Sequence, residues 1–277
     1  MTTSQKITKK LKPTTKTRAN KKLNDQQIEI LQILYKFRFA TTELIVQYQE
    51  LESAKYTHTR LKLLIDKEYI ARKYDGQYKI HGKHAIYYLL PKGIRTLKED
   101  KDLNTQALNG MYKDGIRTEE FMDRCLGLFK LYLKFNQLYG DKLNFYSKNE
   151  LVGSPYFARP LPDAYLKLKT SSQGIRQFVL EVIEVNTPIY TIRRRINRFI
   201  DGAPSSFDPD LILFVCENSY LERQVQRLVS RLINRTELDD EIKIYATTAK
   251  ALFGVQNWKT AIWSDVTQPD ELFSLNS

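Results

Sequence analysis

The chain has 277 residues, 42% of them hydrophobic and 12% aromatic, which is ample for packed cores and excludes an intrinsically disordered chain. Its longest apolar runs, such as "LILFVC" at 211–216, are far shorter than the ~20 residues that span a bilayer, and no basic start leads into an apolar signal segment. The expectation is a cytoplasmic protein that makes no use of a membrane, and the two cysteines in apolar surroundings (Cys125, Cys216), with only three histidines and no paired-cysteine motif, point away from zinc.

The formal net charge of +12 is unevenly spread. Residues 1–24 hold eight Lys/Arg and no acid, so the remainder carries 36 basic residues against 32 acidic ones. This Thr- and Lys-rich segment reads as a disordered basic tail. It would serve either as an arm that gains affinity for nucleic acid by releasing counterions or as a solubilising extension.

Residues 25–99 follow. "NDQQIEILQILYKFRF" starts with Asn24 or Asp25 as a cap and sets Ile28, Leu31, Leu34 and Tyr35 at helical spacing. "TTELIVQYQ" predicts a short second helix. "SAKYTHTRLKLLIDKEYI" predicts a third, with Ala54, His58, Leu61, Leu64 and Ile65 on its apolar face. "ARKYDGQYKI" places two β-prone runs around Asp75-Gly76, a tight-hairpin signal, and "HAIYYLLPKGIRTL" adds a strand and a helix after Pro91. Three short helices followed by a hairpin is the order of a winged helix-turn-helix. In that arrangement Lys55, Tyr56, Thr59 and Lys62, flanked by Arg60, face outward from helix three toward a major groove. Arg72, Lys73, Lys79 and Lys83 of the wing suit phosphates. A winged helix that binds protein instead of DNA fits the same element order.

A polar stretch, residues 100–117, reads as a linker, and residues 118–277 as a second domain. A long helix opens it with Thr118 as cap. Five strand-like runs follow ("KLNFYSK", "DAYLKLK", "QFVLEVIEV", "DLILFVC", "IKIYATT"), with helices before and after "DLILFVC". The fold class expected is therefore α+β: a winged helix-turn-helix followed by an α/β sheet covered on both faces. Asp163 at the start of one strand and Glu181 in the next follow the PD-(D/E)xK plan of restriction-endonuclease-like enzymes. There, two carboxylates converge on Mg²⁺ and a lysine assists the attacking water. Ile183 stands where that lysine belongs. The candidate catalytic and metal-binding residues are thus Asp163 and Glu181, at a site expected to be degenerate. Arg193, Arg194, Arg195 and Arg198 on the following helix could bind phosphates or form a solvated face.

The segments "DQQIEILQILYKFRFATTELI", "LKLLIDKEYIARKYDGQYKIHGKHAIYYLLPKGIRTL", "LPDAYL", "FVLEVIEVNTPIYTIRRRINRFI", "LILFVCEN" and "YATTAKAL" resemble the replication-relaxation family of mobile-element proteins. The resemblance covers about residues 25–263 and is most specific in the winged-helix block. It implies a bacterial accessory protein of plasmid replication, mobilisation or conjugation. Its partners would be double-stranded DNA, a relaxase or replication protein, and a second copy of the chain in a homodimer. No cofactor is expected unless the nuclease site works with Mg²⁺. A Mg²⁺-dependent nicking or cleaving nuclease and a winged-helix transcriptional regulator are the alternatives.

Overall fold

The computed structural model describes residues 22–157, 159–170, 174–200, 211–236, 243–266 and 268–275. Side chains of 198–200 and 233–236 fall outside that description, and the basic tail through residue 21 lies outside the described residues altogether.

Helix α1 (Asp25–Phe37) starts at Asn24, whose side chain accepts from the Gln27 amide at 2.9 Å while Gln27 reaches back to the Asn24 amide at 3.2 Å. This reciprocal capping satisfies two amide groups that the helix itself leaves unbonded. Helix α2 (Thr42–Tyr48) is capped by Thr41 and α3 (Ala54–Asp66) by Ser53. On α3 the buried residues are Thr57, Leu61 and Leu64, a strict i, i+4, i+7 stripe. His58, expected on the apolar face, lies about 100° from Thr57 and is exposed.

Strands β1 (Ile70–Lys73) and β2 (Ile86–Leu89) pair antiparallel, from Ile70 opposite Leu89 to Lys73 opposite Ile86. The tight hairpin expected at Asp75-Gly76 does not form. Asp75 instead accepts from the Tyr78 amide at 3.0 Å and caps helix α4 (Gly76–Ile80). Asp before Gly serves a turn or a helix start equally well, and burial of the Tyr78 ring decides for the helix. Helix α5 (Pro91–Leu97) begins at its proline, as expected.

Residues 100–117 are not a free spacer. Helix α6 (Thr105–Gly110) and a 3-10 turn (Met111–Ile116) bury Ala107, Leu108 and Met111 in the same core as α1 and α5. Arg38, in the left-handed region at φ 68°, ion-pairs with the buried Asp114 of this turn. Burial pushes the Asp114 carboxyl up, and Arg38 opposes the shift.

Helix α7 (Glu119–Tyr139) is capped by Thr118 and stopped by Gly140 at φ 51°, and it lies between the N-terminal helices and the sheet. Phe37 of α1 stacks on Phe129 of α7 with centroids 4.0 Å apart and planes 5° from parallel. Beyond it the sheet runs in the order β3 (Leu143–Ser147), β4 (Ala164–Thr170), β5 (Gly174–Ile183), β6 (Leu211–Cys216), β7 (Lys243–Thr248), β8 (Trp263–Asp265) and β9 (Leu272–Phe273). The β5–β6–β7 pairs are parallel and the others antiparallel. Helices α8 (Ile189–Ile200) and α9 (Ser219–Thr236) make the crossovers, and α10 (Ala249–Gly254) follows β7. Leu211, Leu213 and Val215 of β6 face the α7 core, while Ile212, Phe214 and Cys216 face a second core under α8 and α9. The sheet is therefore covered on both faces, as alternating strands and helices predict. The two short strands β8 and β9 carry no sequence signal of their own.

Because one core joins the N-terminal helices to the sheet, Phe37→Ala is expected to cost about 3–5 kcal/mol. Both tryptophans, Trp258 and Trp263, lie in the sheet half. Their fluorescence midpoint in urea should fall together with the far-UV circular dichroism midpoint. A tryptophan transition left unmoved would mean that the halves unfold independently.

Candidate nucleic-acid interface and a closed carboxylate cluster

Helix α3 buries one stripe and presents the opposite one. Lys55, Thr59 and Lys62 recur at i, i+4 and i+7 and are exposed, and Tyr56 beside them is 67% exposed. Among the described residues neither lysine forms an ion pair, so both charges remain available to a ligand. Arg60 is only half-exposed and donates to Gln26 of α1, so it is less free than its neighbours. On the β1–β2 side Arg72 and Lys79 are exposed, with Arg72 resting 5.6 Å from the centroid of Tyr74. Lys73 is half-buried. Lys83 is committed to Glu119 of α7 at 2.9 Å. The α3 and β1–β2 candidates thus lie on one unit, with Arg60 and Lys83 partly diverted.

Asp163 and Glu181 also converge, although not on open space. Asp163 extends the β4 ladder, its amide donating to Leu180 O at 3.2 Å and its carbonyl accepting from Lys148 N at 3.1 Å. Both of its carboxylate oxygens accept from Arg124 Nη2 of α7, at 2.9 and 2.7 Å. Oδ2 also accepts from the Val182 amide at 3.0 Å and from Arg195 Nη1 of α8 at 3.2 Å. The same Arg195 Nη1 lies 3.2 Å from Glu181 Oε2 and donates to Val182 O at 2.9 Å. Glu184, just past β5, sits 3.6 Å from Arg124 Nη1. Asp163 and Glu181 are 5% and 1% exposed.

Burial alone would raise the Asp163 pKa. Arg195 and Arg124 overcome it and hold the carboxyl down to about 2, with help from Lys148 and the Val182 amide. At half-buried Glu184 the balance falls the other way: burial pushes its carboxyl up against Arg124.

These residues do not fit a magnesium ion. Mg²⁺ takes six oxygens at about 2.0–2.1 Å and keeps several waters. Here a guanidinium nitrogen lies between the two carboxylates, and every Asp163 oxygen is already engaged. Among the described residues no group of three or more His, Cys, Asp or Glu is arranged to hold a metal. Ile183 is fully buried beside Ile192 and Ile196, so the lysine position lines a core. Lys167 lies over the Tyr165 ring at 5.7 Å and takes no part in the cluster.

Arg193 and Arg194 are exposed on α8, and the Arg198 side chain lies outside the described residues. Arg195, read from sequence with its neighbours as surface, points inward. It follows Ile192 by three and precedes Ile196 by one, so helical spacing puts it at the flank of the buried stripe. Arg124 holds the same kind of position between Phe121 and Leu128. A basic residue on an apolar stripe calls for a buried carboxylate, and this was the available signal for both.

No family model and no curated protein matches the chain. Among solved structures it is similar to a double mutant of Lactococcus lactis ZitR. That match has 19% identity and a TM-score of 0.26, over 42% of this chain and 77% of that one.

Arg195→Ala leaves two buried carboxylates short of a counter-charge and is expected to cost about 3–5 kcal/mol. The Asp163 pKa of about 2 lies below the value of about 3.9 for an unfolded chain, so its stabilisation is present above pH ~4 and lost as pH falls toward 2. A shift of that size corresponds to about 2–3 kcal/mol. Asp163→Asn should be less stable at pH 7 and should lack this acid-side decline in a denaturant titration. Millimolar Mg²⁺ or Mn²⁺ should leave the wild-type melting temperature unchanged. A metal-dependent rise would contradict the closed cluster.

Proposed function

We propose that the chain is a DNA-binding accessory protein of plasmid or mobile-element replication, mobilisation or conjugation. In this reading α1–α5 with β1 and β2 form a winged helix-turn-helix, and the sheet half follows the restriction-endonuclease-like plan with its catalytic centre closed. The observation that carries the reading is the outward face of α3. Lys55, Tyr56, Thr59 and Lys62 stand together there, exposed and without acidic partners among the described residues. Side chains of these types reach base edges in a major groove, while Arg72 and Lys79 on the β1–β2 side are suited to phosphates. The basic residues of the tail would add a salt-dependent, sequence-independent contribution. The sheet half would act as a scaffold for a homodimer or for docking a relaxase or replication protein.

We place nuclease activity behind this reading because Arg195 stands between Asp163 and Glu181, where the enzyme alternative requires a metal. A role as a transcriptional regulator shares the same α3 face and would differ only in the DNA site bound.

Two experiments test the proposal. Replacing Lys55, Tyr56 and Thr59 with alanine should abolish preference for a cognate site in footprinting and leave only salt-sensitive background binding. Retention of the wild-type footprint would remove α3 as the reader. Protein free of contaminating nuclease should not nick supercoiled plasmid in Mg²⁺ or Mn²⁺. Nicking that disappears in Glu181→Ala would restore the enzyme reading.

A further inference from the structure

Helices α8 and α9 lie side by side on the sheet face opposite the N-terminal unit, with Ile192 and Ile196 of one and Leu221, Val225 and Val229 of the other turned inward. At about 100° per residue, Tyr190, Arg193 and Arg194 fall on the flank of α8 away from Arg195. Tyr220, Arg227 and Arg231 stand at i, i+7 and i+11, a single stripe along α9. All six are exposed, Tyr190 by 68% and Tyr220 by 63%.

Two features set this surface apart from an ordinary solvated face. A solvated helix face mixes charges of both signs, whereas α8 has no acid and α9 has only Glu222. Glu222 is half-buried and within hydrogen-bonding reach of Ser264, and it lines one groove with Arg227, Arg231 and Asp270. None of the four arginines makes an ion pair among the described residues. Two large aromatic rings are moreover left in water among these cations.

We propose that the α8–α9 face binds single-stranded nucleic acid, the arginines following the phosphates and Tyr190 and Tyr220 stacking on bases. Bases in a duplex are already stacked and leave nothing for these rings to cover, and among the described residues no element projects from this face to enter a groove. An electrostatic track with aromatic platforms suits an unpaired strand. The proposal rests on the nucleic-acid reading of the chain but uses none of the α3 residues.

The test is fluorescence anisotropy of the full chain with labelled oligo(dT), oligo(rU) and a blunt duplex. Tyr190→Ala with Tyr220→Ala should weaken oligo(dT) binding by at least ~10-fold and leave the duplex unaffected. Oligo(rU) should weaken alongside, since stacking and phosphate contacts ignore the sugar; an effect on only one of the two would identify the strand the face takes. Arg194→Ala with Arg227→Ala and Arg231→Ala should lower the slope of log K against log salt by up to roughly 0.7 per lost contact. Lys55→Ala with Thr59→Ala should impair the duplex and spare oligo(dT), so failure of the α3 reading would be seen separately. All substituted side chains are exposed, and circular dichroism will confirm folding. Oligo(dT) affinity unchanged in the tyrosine variant, or single strand and duplex weakened equally, would overturn the proposal.

Discussion

The Asp163 carboxylate is the point at which the two helical layers are fastened through the end of the sheet. Arg124 reaches it from α7 on one face and Arg195 from α8 on the other, and the Val182 amide closes the remaining approach. A carboxylate 5% exposed stays ionised only if donors replace the water it has lost, and three donors making four hydrogen bonds do so here. Apolar side chains of equal volume would hold the layers at least as tightly, since desolvation consumes most of the Coulombic gain of a buried pair. The ion cluster contributes direction. Arg195 meets Asp163, Glu181 and the Val182 carbonyl together, which fixes α8 against the ends of β4 and β5. Asp163 and Glu181 are thereby committed to the architecture.

Helix α7 extends the same constraint to the N-terminal unit. One side supplies Arg124 to the cluster, and another stacks Phe129 on Phe37 of α1. Polar ties run alongside: Lys36 Nζ donates to Phe145 O at 2.7 Å, and Asn149 Nδ2 to Tyr35 O at 3.1 Å. With α6 and its 3-10 turn buried between, α3 is carried on a body continuous with the sheet and not on a tether.

Elements with strong periodicity or strong caps could be read from sequence. Asn24, Thr118 and Pro91 each start the helix they announce, and five of the seven strands of the large sheet match apolar runs. Local signals with two solutions misled. Asp75-Gly76 suits a hairpin turn and a helix start, and only the burial of Tyr78, a tertiary fact, chooses between them. The polar look of 100–117 hid a few apolar residues sufficient to dock it. At the carboxylates, the approach of Asp163 to Glu181 was legible from their places in adjacent strands. What occupies the space between them was not. Arg124 and Arg195 stand 39 residues before and 32 after Asp163 and belong to different helices, so no local pattern joins them.

Charge placement then limits how any polyanion could lie on the molecule. Two arginines that sequence would credit to a basic surface are neutralised inside, and Lys83 is spent on Glu119. Among the exposed cations of the described residues, two sets belong to the surfaces described above, one on α3 with the β1–β2 side and one on α8 with α9. The first is carried on the α7 side of the sheet, and the second is on the reverse. A straight duplex cannot follow both, because the sheet and α7 stand between them. The two groups also differ in kind. One is a single helix with an exposed polar stripe, and the other is a broad surface with exposed rings. The buried cluster ties α7 and α8 to one carboxylate, which holds the two surfaces on opposite faces of the same sheet.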